Sequence, residues 1–119
     1  MTEHLFVYGT LQDAGVRAEL LGTDRARVVA RGTVRGMLYH LGEYPGLVAS
    51  DEDARVPGLI VELSADALAR LDRYEGTDEG LYGRERVAVA CDDGVQREAW
   101  VYRYLRSIAG KRRIAAWPA

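Results

Sequence analysis

Residues 27–41 alternate between two faces, and this pattern restricts the folds that the chain can adopt. One parity carries small and apolar side chains: Val28, Ala30, Gly32, Val34, Gly36 and Leu38. The other parity carries Arg27, Arg31 and Arg35. Alternation is typical of a strand with one buried face, and glycines inside a strand mark bends or bulges. We therefore predict one long strand that curves, as strands do around a closed sheet.

Several further segments have the β-branched and aromatic character of strands: residues 4–8, 47–49, 56–63, 82–91 and 95–105. A turn over residues 43–46 separates the long strand from the short one at 47–49. The sequence Asp92-Asp93-Gly94 joins the last two segments and predicts a hairpin. The sequence is therefore dominated by strands.

Helix signals are fewer. Asp13 can cap a short helix that Gly22 ends. Ser64 is a good N-cap for a helix over residues 65–75, and Gly76 is suited to the position after its end. Two helices are too few for a doubly wound α/β sheet. We predict an α+β fold, a small mixed and mostly antiparallel β-barrel with flanking helices.

Length and charge limit the class of protein. With 119 residues we expect a single domain over 1–119. A net charge of −2 argues against nucleic acid as a partner, and the basic residues 111–113 are interpreted as a solvated tail. No apolar run approaches the ~20 residues of a membrane-spanning helix, and no secretory signal pattern begins the sequence. We expect a cytoplasmic protein without a membrane partner.

The residues that usually carry metal, covalent or nucleotide chemistry are sparse. Cys91 is the single cysteine, so an internal disulfide and a four-cysteine zinc site are excluded. Neither His4 nor His40 has a companion at metal-ligand spacing. The serines lack the glycine-flanked elbow of serine hydrolases, and no phosphate-binding glycine loop is present. We expect neither a metal nor a cofactor.

Glu75 occupies an unexpected place on the helix predicted over 65–75. At ~100° per residue, Glu75 lies about 20° from Leu68, inside the apolar stripe, while Asp72 lies nearer its boundary. Burial and the C-terminal end of a helix both favour the protonated form of a carboxyl group. Such a group is suited to general acid/base catalysis. Alternatively the helix frays at its end and Glu75 points to water.

The sequence Tyr8-Gly9-Thr10-Leu11 marks a strand that ends in a turn before a helix. Successive backbone N–H groups there could bind a carboxylate or an oxyanion, and the Thr10 hydroxyl adds a donor. An ordinary strand-to-helix turn is the simpler interpretation.

Tyr82 and Arg84 share a parity at the start of a predicted strand. Their side chains therefore point together, either into a cavity or onto the exterior of the sheet.

Taken together, these segments resemble the gamma-glutamylcyclotransferase-like superfamily, particularly its small bacterial and gamma-glutamylamine cyclotransferase branch. The resemblance follows family order over nearly the whole chain. Its motifs are Phe6-Val7-Tyr8-Gly9-Thr10-Leu11, Tyr44-Pro45-Gly46, Leu71-Asp72-Arg73-Tyr74-Glu75-Gly76, Tyr82-Gly83-Arg84-Glu85-Arg86-Val87 and Ala99-Trp100-Val101-Tyr102.

The resemblance implies a cofactor-independent enzyme of the transferase or lyase kind. Its substrate would be a gamma-glutamyl amine or amide whose own α-amine attacks the γ-carbonyl, releasing 5-oxoproline and the free amine. Glu75 would be the catalytic acid/base. The implied substrate-binding residues are Tyr8, Gly9, Thr10, Leu11 and Tyr82. The shortness of the chain favours a gamma-glutamylamine or a gamma-glutamyl-protected biosynthetic intermediate over glutathione.

Two alternatives stay open at this point. The same barrel could be a non-catalytic module that binds a small carboxylate ligand, or its cavity could support a different reaction of Glu75. The oligomeric state, monomer or homodimer, also stays open, since Trp100, Tyr102 and Trp117 could lie in a core or at an interface.

Overall fold

Strands dominate the chain, as expected. The computed structural model describes residues 2–21 and 27–118. In chain order, its strands are β1 (Thr2–Val7), β2 (Arg27–Arg35), β3 (Met37–His40), β4 (Pro45–Val48), β5 (Arg55–Ser64), β6 (Tyr82–Cys91), β7 (Gln96–Tyr104) and β8 (Arg112–Ile114). Helix α1 spans Ala14–Leu21 and helix α2 spans Ala65–Tyr74, and short 3-10 turns cover Thr10–Gln12 and Thr77–Glu79.

Five strands close into a barrel in the order β1-β5-β2-β6-β7. All neighbouring pairs are antiparallel except β1 and β7, which close the barrel through the parallel pair Leu5 and Trp100. Closure gives each of the five barrel strands a neighbouring strand on both sides. The predicted mixed, mostly antiparallel barrel is confirmed.

A second sheet, in the order β4-β3-β8, corrects two predictions. Residues 27–41 form two strands, because the backbone at Gly36 adopts φ 155° and β3 leaves the barrel. A Cβ at Gly36 would lie 2.9 Å from the Val48 carbonyl oxygen, so a side chain does not fit there. Residues 111–113 are not simply a solvated tail, since Arg112 and Arg113 belong to β8 and pair with β3.

The barrel separates two hydrophobic cores. One fills its interior and contains side chains from every strand, including Phe6, Ile60 and Val101. The other lies between the outer wall of the barrel and the helices and includes Leu5 and Leu71. The helices thus flank the barrel, and the described residues contain no helix long and apolar enough to cross a membrane.

Both helices begin as predicted. The Asp13 carboxylate accepts a hydrogen bond from the Val16 N–H at 3.1 Å, and the Ser64 hydroxyl accepts one from the Ala67 N–H at 3.0 Å. Gly22, the predicted end of α1, lies outside the described residues. Helix α2 ends with Glu75 as its C-cap, and Gly76 follows in the left-handed conformation with φ 71°.

Candidate active site

A cavity opens where β1 leaves the barrel and the chain turns toward α1. Residues from five parts of the chain line it: Phe6, Val7, Tyr8, Gly9, Thr10, Leu11, Pro45, Glu75, Tyr82 and Tyr102. As far as the structure describes the chain, its walls are mostly aromatic and aliphatic side chains and backbone, with one carboxyl group. Every residue that the sequence indicated as catalytic or substrate-binding lies on this lining.

Glu75 supplies that carboxyl group from the last turn of α2. The buried face of the helix, Ala67, Leu68 and Leu71, packs against the barrel and brings Glu75 inward. Among the described residues its carboxyl oxygens have no hydrogen-bond or ion-pair partner. Burial raises the pKa of Glu75 from 4.5 to about 7. Close to neutral pH this group can therefore both accept and release a proton.

The turn after β1 brings a row of backbone donors to the same cavity. The N–H groups of Gly9, Thr10 and Leu11 precede or begin a 3-10 turn and have no acceptor among the described residues. Since no described residue accepts a hydrogen bond from these three N–H groups, they are free to donate to a ligand or to water.

The carbonyl groups of this turn are held from the other side. Gln12 Nε2 donates to the Tyr8 carbonyl at 2.9 Å. The buried Arg17 donates through Nη1 to the carbonyls of Leu11 and Gln12, each at 2.9 Å. These bonds fix the orientation of the peptide groups in the turn. The guanidinium also places a positive charge behind it.

Tyr8 and Tyr82 use their hydroxyl groups to join the walls of the cavity. The Tyr8 hydroxyl donates to the Tyr102 carbonyl at 2.6 Å and accepts from the Leu47 N–H at 3.2 Å. The Tyr82 hydroxyl donates to the Pro45 carbonyl at 2.7 Å. Burial raises the pKa of both phenols, so both stay neutral.

Arg84 does not accompany Tyr82 into the cavity. Its guanidinium binds the Asp72 carboxylate with two hydrogen bonds, from Nε at 2.8 Å and from Nη2 at 3.0 Å. It also lies over the Trp100 ring, 4.2 Å from the ring centre. Tyr82 thus lines the cavity while Arg84 binds Asp72 of α2 instead, so the two side chains do not enter one site together as the sequence suggested.

Four lining residues had no predicted role in the site, namely Phe6, Val7, Pro45 and Tyr102, and of these Pro45 and Tyr102 lie outside the β1 segment. The Tyr102 hydroxyl donates to Asp72 Oδ1 at 2.8 Å, which connects the cavity wall to the Asp72–Arg84 pair. Pro45 and Tyr102 both stand in the family motifs, but nothing local in the sequence gave them a role. Their position depends on strand pairing, which brings Tyr102 opposite Arg84.

A wider groove adjoins the cavity on its outer side. The two share Thr10, Glu75 and Tyr82, and the groove is completed by Val16, Glu43, Tyr44, Tyr74 and Leu81. The groove has a volume of about 500 Å³, against about 50 Å³ for the inner cavity. Glu75 thus lies at the boundary between a narrow inner space and a wide outer one.

Cys91 does not line this cavity. Cys91 is buried in the barrel core, and its thiol lies 3.9 Å from the Val89 carbonyl oxygen. Within residues 2–21 and 27–118, no three His, Cys, Asp or Glu side chains are grouped so that they could hold a metal ion.

The chain is similar in sequence to known proteins. The sequence profile of the family described as gamma-glutamyl cyclotransferase, AIG2-like, matches residues 5–117. A curated relative is an inferred gamma-glutamylcyclotransferase of Methanocaldococcus jannaschii, 27% identical over 106 residues that cover 88% of this chain and 87% of the relative.

Solved structures agree with the fold. The solution structure of an Arabidopsis thaliana protein aligns with a TM-score of 0.75 and 26% identity, covering 88% of this chain and 70% of that one. A mouse AIG2-like protein aligns with a TM-score of 0.79 and 23% identity, covering 98% of this chain and 88% of that one. At this identity the mouse protein supports the fold alone.

Proposed function

This chain belongs to the gamma-glutamyl cyclotransferase, AIG2-like family, and we propose that it converts a gamma-glutamyl amine or amide into 5-oxoproline and the free amine. The family match and the Methanocaldococcus jannaschii relative support a gamma-glutamylcyclotransferase-like function. The substrate and the products are inferred from the chemistry of the cavity together with the family resemblance.

The observation that carries the proposal is that a carboxyl group and a row of backbone donors line the same cavity. Glu75, with a pKa raised to about 7, lines the same cavity as the free N–H groups of Gly9, Thr10 and Leu11. A cyclisation of this kind needs a group that moves protons and a site that holds negative charge. The cavity supplies one of each.

In the proposed reaction, the ionised Glu75 takes a proton from the substrate α-ammonium group. The freed amine attacks the γ-carbonyl carbon, a C–N bond forms, and the carbonyl oxygen becomes an oxyanion. The N–H groups of residues 9–11 hold either this oxyanion or the substrate carboxylate. Glu75 gives its proton to the leaving nitrogen as the original C–N bond breaks.

Glu75 then takes a second proton from the ring nitrogen and passes it to the released amine. The products are the neutral lactam of 5-oxoproline and an alkylammonium ion, and Glu75 is ionised again. The carboxyl group thus carries two protons in turn, and neither an oxidant nor a further reactant is required.

The remaining residues shape the space in which the substrate folds back on itself. The attack is intramolecular, so holding the curled conformer can lower the barrier by several kcal/mol, about 7 or more in favourable cases. Tyr8 and Tyr82, fixed through their hydroxyl groups, form rigid walls for that conformer. Tyr102 closes the cavity on the side of β7.

The test is 5-oxoproline release from a panel of gamma-glutamyl amines by wild type and Glu75→Gln. The amide keeps the shape of the side chain but cannot shuttle protons, so we expect turnover to fall by about 100-fold or more. Glu79→Gln is the matched control, because Glu79 is an exposed acid in the adjacent 3-10 turn.

Circular dichroism and thermal unfolding would show that both variants are folded. Equal turnover by wild type and Glu75→Gln would contradict the role of Glu75. If none of the panel is turned over but a small carboxylate binds in the cavity, the protein is a binding module instead.

A further inference from the structure

The position and the lining residues of the outer groove indicate that it binds the amine that leaves the substrate. If the γ-carbonyl carbon is within reach of Glu75, the leaving nitrogen lies at the boundary between cavity and groove, because Glu75 lines both. The inner cavity, about 50 Å³, has little room beyond the reacting group, whereas the groove has about 500 Å³. The variable amine of the substrate therefore fits only in the groove.

Aromatic and aliphatic side chains form most of the groove wall. Tyr44 and Tyr74 are 42% and 62% exposed, among the most exposed large apolar side chains of the described residues. Val16 and Leu81 pack against the core beneath and complete the wall. Large apolar surface gathered beside a reactive group is typical of a site for a hydrocarbon chain.

The charged side chains on the described lining of the groove are all acidic. Among the described residues of its lining, the carboxylates are Glu43 and Glu75, and none of these residues is a lysine, arginine or histidine. Glu43 is exposed at the rim, in the loop before β4. A second positive charge on the leaving amine would be attracted here, while a carboxylate on it would be repelled.

We propose that this groove is the leaving-amine subsite and that Tyr44, Tyr74 and Glu43 determine its specificity. It selects amines with a hydrocarbon chain that ends in an ammonium group, and it rejects amines that carry a carboxylate. The inference rests on the proposed function, because it concerns the group released by the same cyclisation.

The experiment uses three substrates with the same four-carbon leaving chain: the gamma-glutamyl derivatives of 1,4-diaminobutane, butylamine and 4-aminobutyrate. We expect kcat/KM for 5-oxoproline release to fall in that order at low ionic strength. The first and last should differ by at least about five-fold, a ratio that shrinks as salt is added, as for interactions with an exposed charge.

Two variants separate charge from apolar contact. Glu43→Gln should reduce the ratio between the diaminobutane and aminobutyrate derivatives by about two- to five-fold. Tyr74→Ser should lower kcat/KM for all three substrates by about ten-fold while the order is kept. Asp53→Asn removes an exposed charge outside the groove and is the control for net charge.

The outcomes distinguish this inference from the function on which it rests. Equal turnover of the three substrates, or an unchanged ratio in Glu43→Gln, would overturn the subsite while the cyclisation stands. A preference for the aminobutyrate derivative would also overturn it. If none of the substrates yields 5-oxoproline, both the subsite and the proposed function fail.

Discussion

At the scale of single residues, the proposed chemistry depends on the pKa of one carboxyl group, that of Glu75. Burial without a hydrogen-bond donor or a cation beside it holds the pKa of Glu75 near 7. A salt bridge would stabilise the ionised form and lower that pKa, which would weaken Glu75 as a proton carrier. In the proposed reaction, the absence of a partner for Glu75 among the described residues therefore favours proton transfer.

This arrangement predicts a measurable cost to stability. Unfolding returns the pKa of Glu75 from about 7 to 4.5, so between these values the folded protein binds a proton that the unfolded chain has lost. The free energy of unfolding keeps the full contribution of the protonated carboxyl group below pH 4.5. This contribution decreases as the pH rises above 4.5 and is lost at about pH 7. Glu75→Gln should therefore be more stable than wild type by about 1–3 kcal/mol at pH 8 and nearly equal to it at pH 4.5.

Urea denaturation at a series of pH values would measure this difference. Glu79→Gln serves as the control, since an exposed carboxylate at that position should show no such trend. A stability difference for Glu75→Gln that does not change between pH 4.5 and pH 8 would contradict the raised pKa.

At the scale of elements, the question is what holds the end of α2 against the barrel. Asp72, three residues before Glu75, binds Arg84 of β6 and Tyr102 of β7 through its carboxylate. Its backbone carbonyl accepts a hydrogen bond from the Thr77 hydroxyl at 3.0 Å. One residue thus ties the last helical turn to two strands and to the segment that follows. We infer that Asp72 is a positioning residue for Glu75.

The Asp72→Asn substitution tests this role. It keeps the size of the side chain but weakens the bidentate contact with Arg84, so stability should fall by about 1–3 kcal/mol. Because a small displacement of Glu75 affects the proton transfers, kcat should fall by about ten-fold or more, with little change in KM. Steady-state kinetics of 5-oxoproline release would measure both parameters.

Asp66→Asn is the matched control, since Asp66 is an exposed residue in the first turn of the same helix. There, loss of the charge should reduce stability by only a few tenths of a kcal/mol. An unchanged kcat in Asp72→Asn, with the stability lowered, would show that the pair is structural only.

At the scale of the whole molecule, strand alternation and helix caps were enough to predict the barrel and both helices. The break at Gly36 was not predicted because the pattern continues in phase across it, with Val34 and Leu38 buried in the same core. Strand β8 was not predicted because it has three residues and gains its strand character by pairing with β3. Pairing between distant segments is not visible in local periodicity.

The candidate site likewise contains residues whose place could be predicted from the sequence and residues whose place could not. The inward orientation of Glu75 follows from the helical period, since the apolar stripe containing Leu68 and Leu71 extends to it. The contribution of Tyr102 requires the register of β6 and β7, and that of Pro45 requires the second sheet to lie beside the barrel end. Features that a single helix or strand determines can therefore be predicted from the sequence. Features that depend on the contact between two elements cannot.

The proposed reaction requires that the substrate's own amine, and not water, attacks the γ-carbonyl. The most direct measurement is product analysis by mass spectrometry after turnover of one gamma-glutamyl amine in ¹⁸O-labelled water. The account predicts 5-oxoproline and free amine in equal amounts, with no ¹⁸O in the 5-oxoproline. Glutamate that carries ¹⁸O in its γ-carboxylate would show hydrolysis and would contradict the account.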